Sequence, residues 1–291
     1  MPSERRASTA EGWRKSPFAQ GAGRASMAFA KYKLVSVLND KHGQLSRGDA
    51  LGFLRTLDDG TADVVFLDPP FNLGKHYSKQ DRKLDRRPEA DYERWLRRVL
   101  LESSRILKPG GIMFLYHLPV WAMRMGAALD KDGEIQFFHW VAISMKNGFV
   151  RGEHLYPAHY ALLMFSKGKP SHFRRPKLSP SRCRHCGGYI KDYGGYRAII
   201  DKKGLNLSDV WEDLSPVRHT STKNRAANEL PQRLFDRVFA MAGKRGGVYV
   251  DPFSGSGTGV VSAVKAGMKY RACDLLRDNC LLLARRLSKT G

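Results

Sequence analysis

Residues 248–259 read VYVDPFSGSGTG, and this stretch decides the fold. Three apolar residues of buried-strand type run into Asp251, and glycines follow at the alternate positions Gly255, Gly257 and Gly259. Glycines at a strand-to-helix turn let the backbone approach a ligand closely and point a helix N-terminus at it. The stretch therefore predicts an α/β protein that holds a small molecule at the carboxyl end of this strand.

A second acidic residue ends the next predicted strand. Asp274 lies nineteen residues after Gly255, where a carboxylate can accept hydrogen bonds from two ribose hydroxyls. A dinucleotide oxidoreductase uses the same geometry, so the spacing alone leaves the class of cofactor open. A tight packing turn would explain the glycines but not the acidic residues at both strand ends.

Earlier in the chain, the apolar run 62–67 ends at Asp68-Pro69-Pro70-Phe71. Two consecutive prolines cannot extend a strand ladder, so the chain must turn at the carboxyl end of this strand. A carboxylate and a proline carbonyl form a rigid pair of acceptors beside an aromatic ring. An exocyclic amine on a flat base could donate to both acceptors while the ring stacks on the base. A simple turn explains the tetrapeptide equally well when it is taken alone.

The other apolar patterns alternate between strand and helix. Strands are predicted at residues 43–48, 112–116, 137–143, 159–165 and 270–274. Helices are predicted at 50–57, 89–107 and 229–243, from the glycine loop through Ala266, and after the last strand to about Leu287. This alternation predicts a doubly wound, mostly parallel sheet covered by helices on both faces.

The charge balance points to a polyanionic partner. The chain has 50 Lys and Arg against 28 Asp and Glu, a formal net charge of +22. This charge favours a protein that binds nucleic acid over one whose basic surface has no polyanionic partner. No apolar run approaches the roughly 20 residues of a membrane helix, and no signal peptide opens the chain. The four cysteines are too few for a secreted disulfide framework. We therefore expect a cytoplasmic protein with reduced thiols and no membrane partner.

Taken together, the two motifs resemble the amino-methyltransferases of the DNA N4/N6 methylase family. The resemblance is to the subgroup in which the catalytic motif precedes the cofactor motif and the target-recognition region lies between them. It is carried by DPPFNLGK at 68–75, RILKPGG at 105–111, residues 159–167 and DPFSGSGT at 251–258, and it covers about residues 43–287. It implies a Rossmann-like methyltransferase sheet, S-adenosylmethionine as methyl donor and double-stranded DNA as substrate.

The resemblance also implies a role for each motif residue. The catalytic residues would be Asp68, Pro69, Pro70 and Phe71, with the base flipped out of the duplex onto the aromatic ring. The cofactor would contact Asp49, Ala50, Asp251, Pro252, Phe253, Ser254, Gly255, Gly257, Thr258 and Asp274. The sequence departs from the family pattern at Leu230-Pro231, where Lys-Pro is usual, and at Gly259, where threonine is common.

The first residue of the tetrapeptide bears on the target base. Within the family, aspartate at the position of Asp68 favours adenine N6, since cytosine N4 enzymes more often have serine there. A C5-cytosine enzyme would need a cysteine after a proline, and none of the four cysteines follows one. A nicotinamide oxidoreductase would leave the tetrapeptide without a purpose. A non-enzymatic DNA-binding protein would explain the charge but neither motif.

Basic residues crowd between Lys167 and Lys203, and the resemblance assigns target recognition to residues 168–222. The side chains expected to contact phosphates and base edges are Arg174, Arg175, Lys177, Arg182, Arg184, Lys191 and Arg197. Cys183 and Cys186 look like half of a zinc knuckle. Because no second pair follows at knuckle spacing, we expect two reduced cysteines and no metal.

The expected domain organisation follows from these assignments. Residues 1–30 form a disordered basic tail, 31–167 the catalytic half, 168–222 the inserted module and 223–291 the cofactor half. Met27 could equally be the true start. The sequence leaves open whether a restriction endonuclease acts on the same DNA site, and whether the protein is a monomer or a homodimer.

Overall fold

The computed structural model describes residues 33–73, 87–132, 134–144, 153, 155, 157–183, 185–191, 193–214 and 229–290. From Leu34 onward these residues belong to one compact unit. The expected basic tail at residues 1–30, which includes Met27, lies outside the described residues, as do Gly74, Lys75 and Arg184.

Strands and helices alternate along much of the described chain. The strands are β1 Val35–Asn39, β2 Gly43–Arg47, β3 Ala62–Leu67, β4 Leu107–His117, β5 Gln136–Ser144, β6 His159–Ser166, β7 Lys177–Leu178, β8 Leu205–Asn206, β9 Val210–Trp211, β10 Val248–Asp251 and β11 Lys269–Asp274. The helices are α1 Ala50–Arg55, α2 Glu89–Arg105, α3 Pro119–Asp132, α4 Arg197–Lys203, α5 Gln232–Ala242, α6 Thr258–Lys265 and α7 Arg277–Ser288.

Within the described residues, nine strands form one sheet in the order β1-β2-β11-β10-β3-β4-β6-β5-β9. The run from β2 to β4 is parallel throughout, β6 is antiparallel to both of its neighbours, and β9 is parallel to β5. The prediction of a doubly wound, mostly parallel sheet is therefore confirmed. Strand order changes direction between β3 and β10, and a parallel sheet binds ligands outside the carboxyl ends of such a pair.

The register between β3 and β10 brings the two predicted motifs together. Val65 pairs with Val250, so Asp251 and Asp68 leave neighbouring strands at the same edge of the sheet. Both strands are almost fully buried, which matches their continuous apolar sequences. On one face, Phe66 packs against Phe235 of α5 at a centroid distance of 4.9 Å, so this helix covers the sheet below the site.

Most element bounds agree with the sequence pattern to within two residues, but β4 begins earlier than predicted. The segment Lys108-Pro109-Gly110-Gly111 was expected to separate helix from strand, and it forms the first part of β4 instead. Gly110 takes a φ of +78°, and its N–H donates to the carbonyl of Lys167 at 2.6 Å. A glycine supplies this conformation at little cost, so the strand runs through the segment as a bulge, across which the register with β3 shifts from Ala62 paired with Leu107 to Val64 paired with Ile112.

The region predicted as an insertion is only partly separate from the sheet. Its strands β7 and β8 form a small antiparallel pair beside α4, whereas β9 adds to the main sheet next to β5. Trp211 of β9 is 1% exposed, so the end of this region belongs to the core. No helix in the described part of the chain is both long and apolar enough to cross a membrane.

Candidate active site

The glycine loop between β10 and α6 is held in a backbone shape that requires glycine. Gly257 has a φ of +82°, and its N–H donates to the Ser254 carbonyl at 2.7 Å. A Cβ at this position would lie 2.8 Å from Cγ of Leu283 and closer still to its Cδ1. The left-handed conformation and the close packing of α7 therefore both exclude a side chain here.

Gly259 has a different packing reason. A Cβ there would lie 2.5 Å from the Tyr249 hydroxyl and 2.7 Å from Cε1 of Phe235. The departure from the family pattern at this position thus accompanies two large aromatic side chains that occupy the space.

Asp274 fastens the glycine loop to the end of β11. Its Oδ2 accepts from the N–H of Gly255 at 2.8 Å, and its Oδ1 accepts from the N–H of Leu276 at 2.8 Å and from Nδ2 of Asn279 at 3.0 Å. The N–H of Gly48 donates to the Asp274 carbonyl at 3.0 Å. This last bond brings the end of β2, and with it Asp49 and Ala50, beside Asp274.

Asp49 is the N-cap residue of α1, the helix that follows β2. Its Oδ2 accepts from the N–H of Gly52 at 2.9 Å, which is the usual arrangement of an N-cap aspartate. Ala50 begins α1 and is 6% exposed. Asp49, Ala50 and Asp274 therefore lie at two adjacent strand ends, next to the glycine loop.

Asp251 is a buried carboxylate with two donors. The Tyr249 hydroxyl donates to its Oδ2 at 2.9 Å, and the N–H of Phe253 donates to its Oδ1 at 3.0 Å. Burial raises the pKa of Asp251 from its ordinary 3.8 to about 7, and the negative charges of Asp68 and Asp274 add to that rise. A titratable group whose pKa is shifted this far is typical of a functional site.

Asp68 and Phe71 lie beside two tyrosines that are not among the predicted site residues. The Phe71 ring lies 6.0 Å from Tyr116 and 5.8 Å from Tyr160. Burial raises the pKa of both tyrosines, and the charge of Asp68 raises it further. Tyr160 falls within residues 159–167, which carry the family resemblance, but the signal for Tyr116 was only its place in an apolar strand.

The turn after Phe71 is clamped by a reciprocal pair of hydrogen bonds. Asn72 takes a φ of +58°, a left-handed conformation that asparagine tolerates better than most residues. Its Oδ1 accepts from the N–H of Arg87 at 2.8 Å, and its Nδ2 donates to the Arg87 carbonyl at 3.0 Å. The segment that carries the aromatic ring is thereby fixed at its far end.

Asp68 and Asp251 line the same cleft, which has a volume of about 310 Å³ including its open mouth. The lining residues are Phe66, Asp68, Leu230, Phe235, Asp251, Phe253, Ser254, Gly255, Ser256, Thr258 and Gly259. Leu230 brings an apolar side chain where the family usually has lysine. The Ser254 side chain is buried, and its Oγ has no hydrogen-bond partner within the described ranges.

The cleft contains five of the ten residues expected to contact a cofactor, namely Asp251, Phe253, Ser254, Gly255 and Thr258. Pro252 and Gly257 are buried in the same loop. The other three are the strand-end residues described above. The structure thus brings all ten to one edge of the sheet, next to the predicted catalytic tetrapeptide.

The sequence model of the DNA methylase family matches residues 62–284 of the chain. The chain belongs to this family. The match includes the Asp68 tetrapeptide and the glycine loop, so the family resemblance drawn from those motifs is confirmed. It does not distinguish adenine N6 from cytosine N4 as the methylated amine.

Two curated methylases are similar over most of this chain. Type II methyltransferase M.BamHI of Bacillus amyloliquefaciens is 40% identical over 246 residues, which are 84% of this chain and 57% of the relative. Type II methyltransferase M.HpaI of Haemophilus parainfluenzae is 29% identical over 213 residues, which are 72% of this chain and 63% of the relative. The chain thus spans less than two thirds of the length of either relative.

Solved methyltransferase structures share the fold of this chain. The PvuII DNA methyltransferase, described as cytosine-N4-specific, superposes with a TM-score of 0.61 at 15% identity and covers 85% of this chain and 87% of its own. The M1.HpyAVI–SAM complex gives a TM-score of 0.56 at 14% identity and covers 84% and 98%. At these identities the likeness concerns the fold alone.

The basic residues expected to contact DNA are on the surface of the described structure. Arg174, Arg175, Lys177, Arg182, Lys191 and Arg197 are all exposed. The guanidinium groups of Arg182 and Arg197 lie 4.3 and 5.3 Å from the centre of the Tyr189 ring. Arg182 also pairs with Asp201 at 3.3 Å. These two guanidinium groups are therefore held in place.

Cys183 and Cys186 lie in a tight turn at the tip of a short hairpin. The N–H of Cys183 donates to the Gly188 carbonyl at 2.7 Å, and the N–H of Gly187 donates to the Cys183 carbonyl at 2.9 Å. Hydrogen bonds from the backbone N–H groups of Cys186 and His185 lower the pKa of the Cys183 thiol. Among the described residues, no group of three or more His, Cys, Asp or Glu side chains could hold a metal ion.

Proposed function

We propose that the chain transfers the methyl group of S-adenosylmethionine to the N6 amine of adenine at a specific sequence of double-stranded DNA. The observation that carries the proposal is the cleft lined by both Asp68 and Asp251. Asp68 belongs to the catalytic motif of the family and Asp251 to its cofactor motif, and both residues line this one cleft. Two substrates bound to these motifs would therefore meet within reach of each other.

The residues of the cleft fit S-adenosylmethionine. The buried Asp251 carboxylate suits a cationic group, the Ser254 Oγ suits a polar group, and the Gly255 and Gly257 backbone leaves room for close approach. Asp274, Asp49 and Ala50 would contact the nucleoside end from the two adjacent strand ends. When bound, this cofactor supplies a methyl carbon activated by a sulfonium leaving group. Solved structures of M1.HpyAVI and of the Thermus thermophilus protein TTHA0409 are complexes with it.

Asp68 and the Pro69 carbonyl would act on the acceptor amine. An aromatic amine is a weak nucleophile because its lone pair is delocalised into the ring. Two acceptors placed where its protons point favour the pyramidal nitrogen, in which the lone pair is localised. Phe71 would stack on the flipped base. After transfer the amine is cationic and acidic, so it loses a proton to Asp68 or to water and no strong base is required.

The base assignment rests on Asp68, since aspartate at this position favours adenine within the family. Cytosine N4 is the second candidate, because the fold is also that of a cytosine-N4-specific enzyme. Both reactions use the same pair of acceptors. The two products differ in mass and chromatography, so analysis of the modified nucleoside separates the candidates.

We further propose that residues 168–222 read the DNA sequence between a catalytic half at 31–167 and a cofactor half at 223–291. The exposed arginines and lysines of this region would neutralise phosphates, and a few would reach base edges in the major groove. The type II names of the relatives support a restriction-modification setting. The proposed partner is a restriction endonuclease that cleaves the same sequence in the same cytoplasm.

Replacing Asp68 tests the proposed chemistry. We expect Asp68→Ala to lose methyl transfer to DNA by at least about a hundredfold while binding of S-adenosylmethionine and DNA is retained. Asp58→Asn, which removes an exposed carboxylate in the turn before β3, serves as the matched control. Full turnover by Asp68→Ala would reject the proposed role of this carboxylate.

A further inference from the structure

His117 and Tyr92 are buried polar side chains that the proposed chemistry does not use. His117 ends β4 and is 0% exposed, and Tyr92 lies in the first part of α2 and is 1% exposed. The Tyr92 hydroxyl lies 2.6 Å from Nε2 of His117 and 2.6 Å from the carbonyl oxygen of Pro70. A continuous hydrogen-bonded chain thus runs from the end of β4 to the catalytic tetrapeptide.

The hydrogen bond from Leu118 to His117 determines which group donates in each of the other hydrogen bonds of this series. The N–H of Leu118 donates to Nδ1 of His117 at 2.7 Å, so Nδ1 is an acceptor. The hydrogen of the neutral ring therefore lies on Nε2 and is donated to the Tyr92 oxygen. The Tyr92 hydroxyl hydrogen is then left for the Pro70 carbonyl. Burial lowers the pKa of His117 to about 3, so the ring keeps this neutral form across the physiological range.

The same histidine also contacts the aromatic ring of the tetrapeptide. The His117 and Phe71 rings are stacked, with centroids 4.8 Å apart and an interplanar angle of 24°. Trp121 packs on Tyr92 at 4.7 Å and lies 6.1 Å from His117. The hydrogen-bonded chain is therefore enclosed by aromatic rings that leave it little freedom to rearrange.

The hydrogen bond to the Pro70 carbonyl restricts the main backbone torsion that the tetrapeptide can still vary. The pyrrolidine rings of Pro69 and Pro70 fix both φ angles, so the direction of Phe71 depends chiefly on ψ of Pro70. A hydrogen bond to the Pro70 oxygen fixes that ψ, and stacking on His117 fixes the ring that follows. Asn72 and Arg87 hold the next residue from the other side.

We propose that Tyr92 and His117, here named the His117–Tyr92 relay, are positioning residues that hold the Asp68–Phe71 segment in its reactive geometry. The inference deepens the proposed methyl transfer and rests on it. The relay touches neither base nor cofactor, and it acts through the Pro70 carbonyl and the Phe71 ring. Loss of the relay lowers the rate of the chemical step and leaves cofactor binding intact.

The kinetic test uses Tyr92→Phe, which removes one oxygen and preserves the ring. The single-turnover rate of methyl transfer falls on the order of 10- to 100-fold, while the Kd for S-adenosylmethionine changes less than about twofold. Tyr270→Phe is the matched control. Tyr270 is also fully buried, and its hydroxyl donates to Asp40 at 3.1 Å at the opposite edge of the sheet. An unchanged single-turnover rate for Tyr92→Phe overturns the proposal.

Two variants of His117 show whether its side chain positions the tetrapeptide through the hydrogen bond to Tyr92 or only fills space in the core. His117→Gln retains a side-chain N–H that can reach Tyr92 and recovers part of the rate, whereas His117→Leu does not. In the double variant Tyr92→Phe/His117→Leu the losses are not additive, because both changes break one chain. Additive losses, or equal rates for the glutamine and leucine variants, show a packing role only and reject the relay.

A readout independent of activity distinguishes failure of the relay from failure of the proposed function. Nitrogen-15 NMR of labelled histidine shows His117 as the neutral Nε2–H form from pH 5 to pH 8, and Tyr92→Phe shifts its Nε2 resonance. Titration of His117 in that range, or an Nδ1–H form, overturns the relay. A wild-type protein that shows the predicted His117 resonance but no methyl transfer refutes the proposed function, whereas the hydrogen bonds of the relay stand.

Discussion

Replacing Asp251 by asparagine should stabilise the cofactor-free protein and weaken cofactor binding at the same time. The carboxylate is 4% exposed and has two donors, the Tyr249 hydroxyl and the Phe253 N–H. Asparagine has the same shape, keeps an acceptor for the backbone N–H and adds a donor for the tyrosine oxygen. The substitution therefore removes a buried charge with little change in packing.

The sign and size of the effect follow from the pKa of Asp251. Because the folded-state pKa of about 7 lies above the ordinary 3.8, folding favours the protonated carboxyl. The stability that this preference contributes is fully present below pH 3.8 and is lost as the pH rises through 7. At about 1.4 kcal/mol per pKa unit, the full loss is about 4 kcal/mol, of which about 1 kcal/mol falls between pH 6 and pH 8.

Urea unfolding at pH 6 and pH 8 measures this loss. The wild-type free energy of unfolding should fall by about 1 kcal/mol more between the two pH values than that of Asp251→Asn. Asp58→Asn, which removes an exposed carboxylate, is measured beside it as the control variant. Calorimetry should show S-adenosylmethionine binding to Asp251→Asn about tenfold or more weakly. Equal pH dependence in wild type and Asp251→Asn would refute the assignment of a buried, ionisable Asp251.

Two further perturbations follow from the loop and from the basic surface. Gly257→Ala should lower the free energy of unfolding by about 2 to 4 kcal/mol, because it adds a Cβ at a φ of +82° against Leu283. Chemical denaturation measures this change, and a loss below about 1 kcal/mol would contradict the close packing of Leu283 on Gly257. Replacing the exposed pair Arg174 and Arg175 by alanine should reduce the magnitude of the slope of log DNA affinity against log salt concentration by about 2. An unchanged slope in a salt titration of DNA binding would show that these two arginines do not contact the phosphates.

Much of the fold could be predicted because its signals are local. The apolar run at 62–67 and the glycine loop after Asp251 each carry their strand, turn and helix within a few neighbouring residues. The edge of the sheet where they meet then follows from the general geometry of parallel strands. The beginning of β4 was not predicted because residues that resemble a helix stop form a bulge in the strand, in which the N–H of Gly110 donates to the Lys167 carbonyl.

The parts of the site that were not predicted depend on contacts between distant residues. Tyr92 occupies an apolar position of α2 by spacing, so its sequence pattern indicates core packing and gives no sign of a hydrogen bond to Pro70. Tyr116 and Tyr160 meet because β4 pairs antiparallel with β6, a register that neither strand specifies alone. β9 adds to the sheet from a basic region in which apolar spacing is weak.

Identification of the methylated nucleoside tests whether the chain methylates the N6 amine of adenine. DNA from a methylation-deficient host is incubated with the protein and with S-adenosylmethionine that carries a deuterated methyl group, then digested and analysed by mass spectrometry. We expect labelled N6-methyldeoxyadenosine with wild type and none with Asp68→Ala. Labelled N4-methyldeoxycytidine would contradict the assignment of adenine, and labelled C5-methyldeoxycytidine or no labelled nucleoside would contradict amine methylation by the Asp68–Phe71 segment.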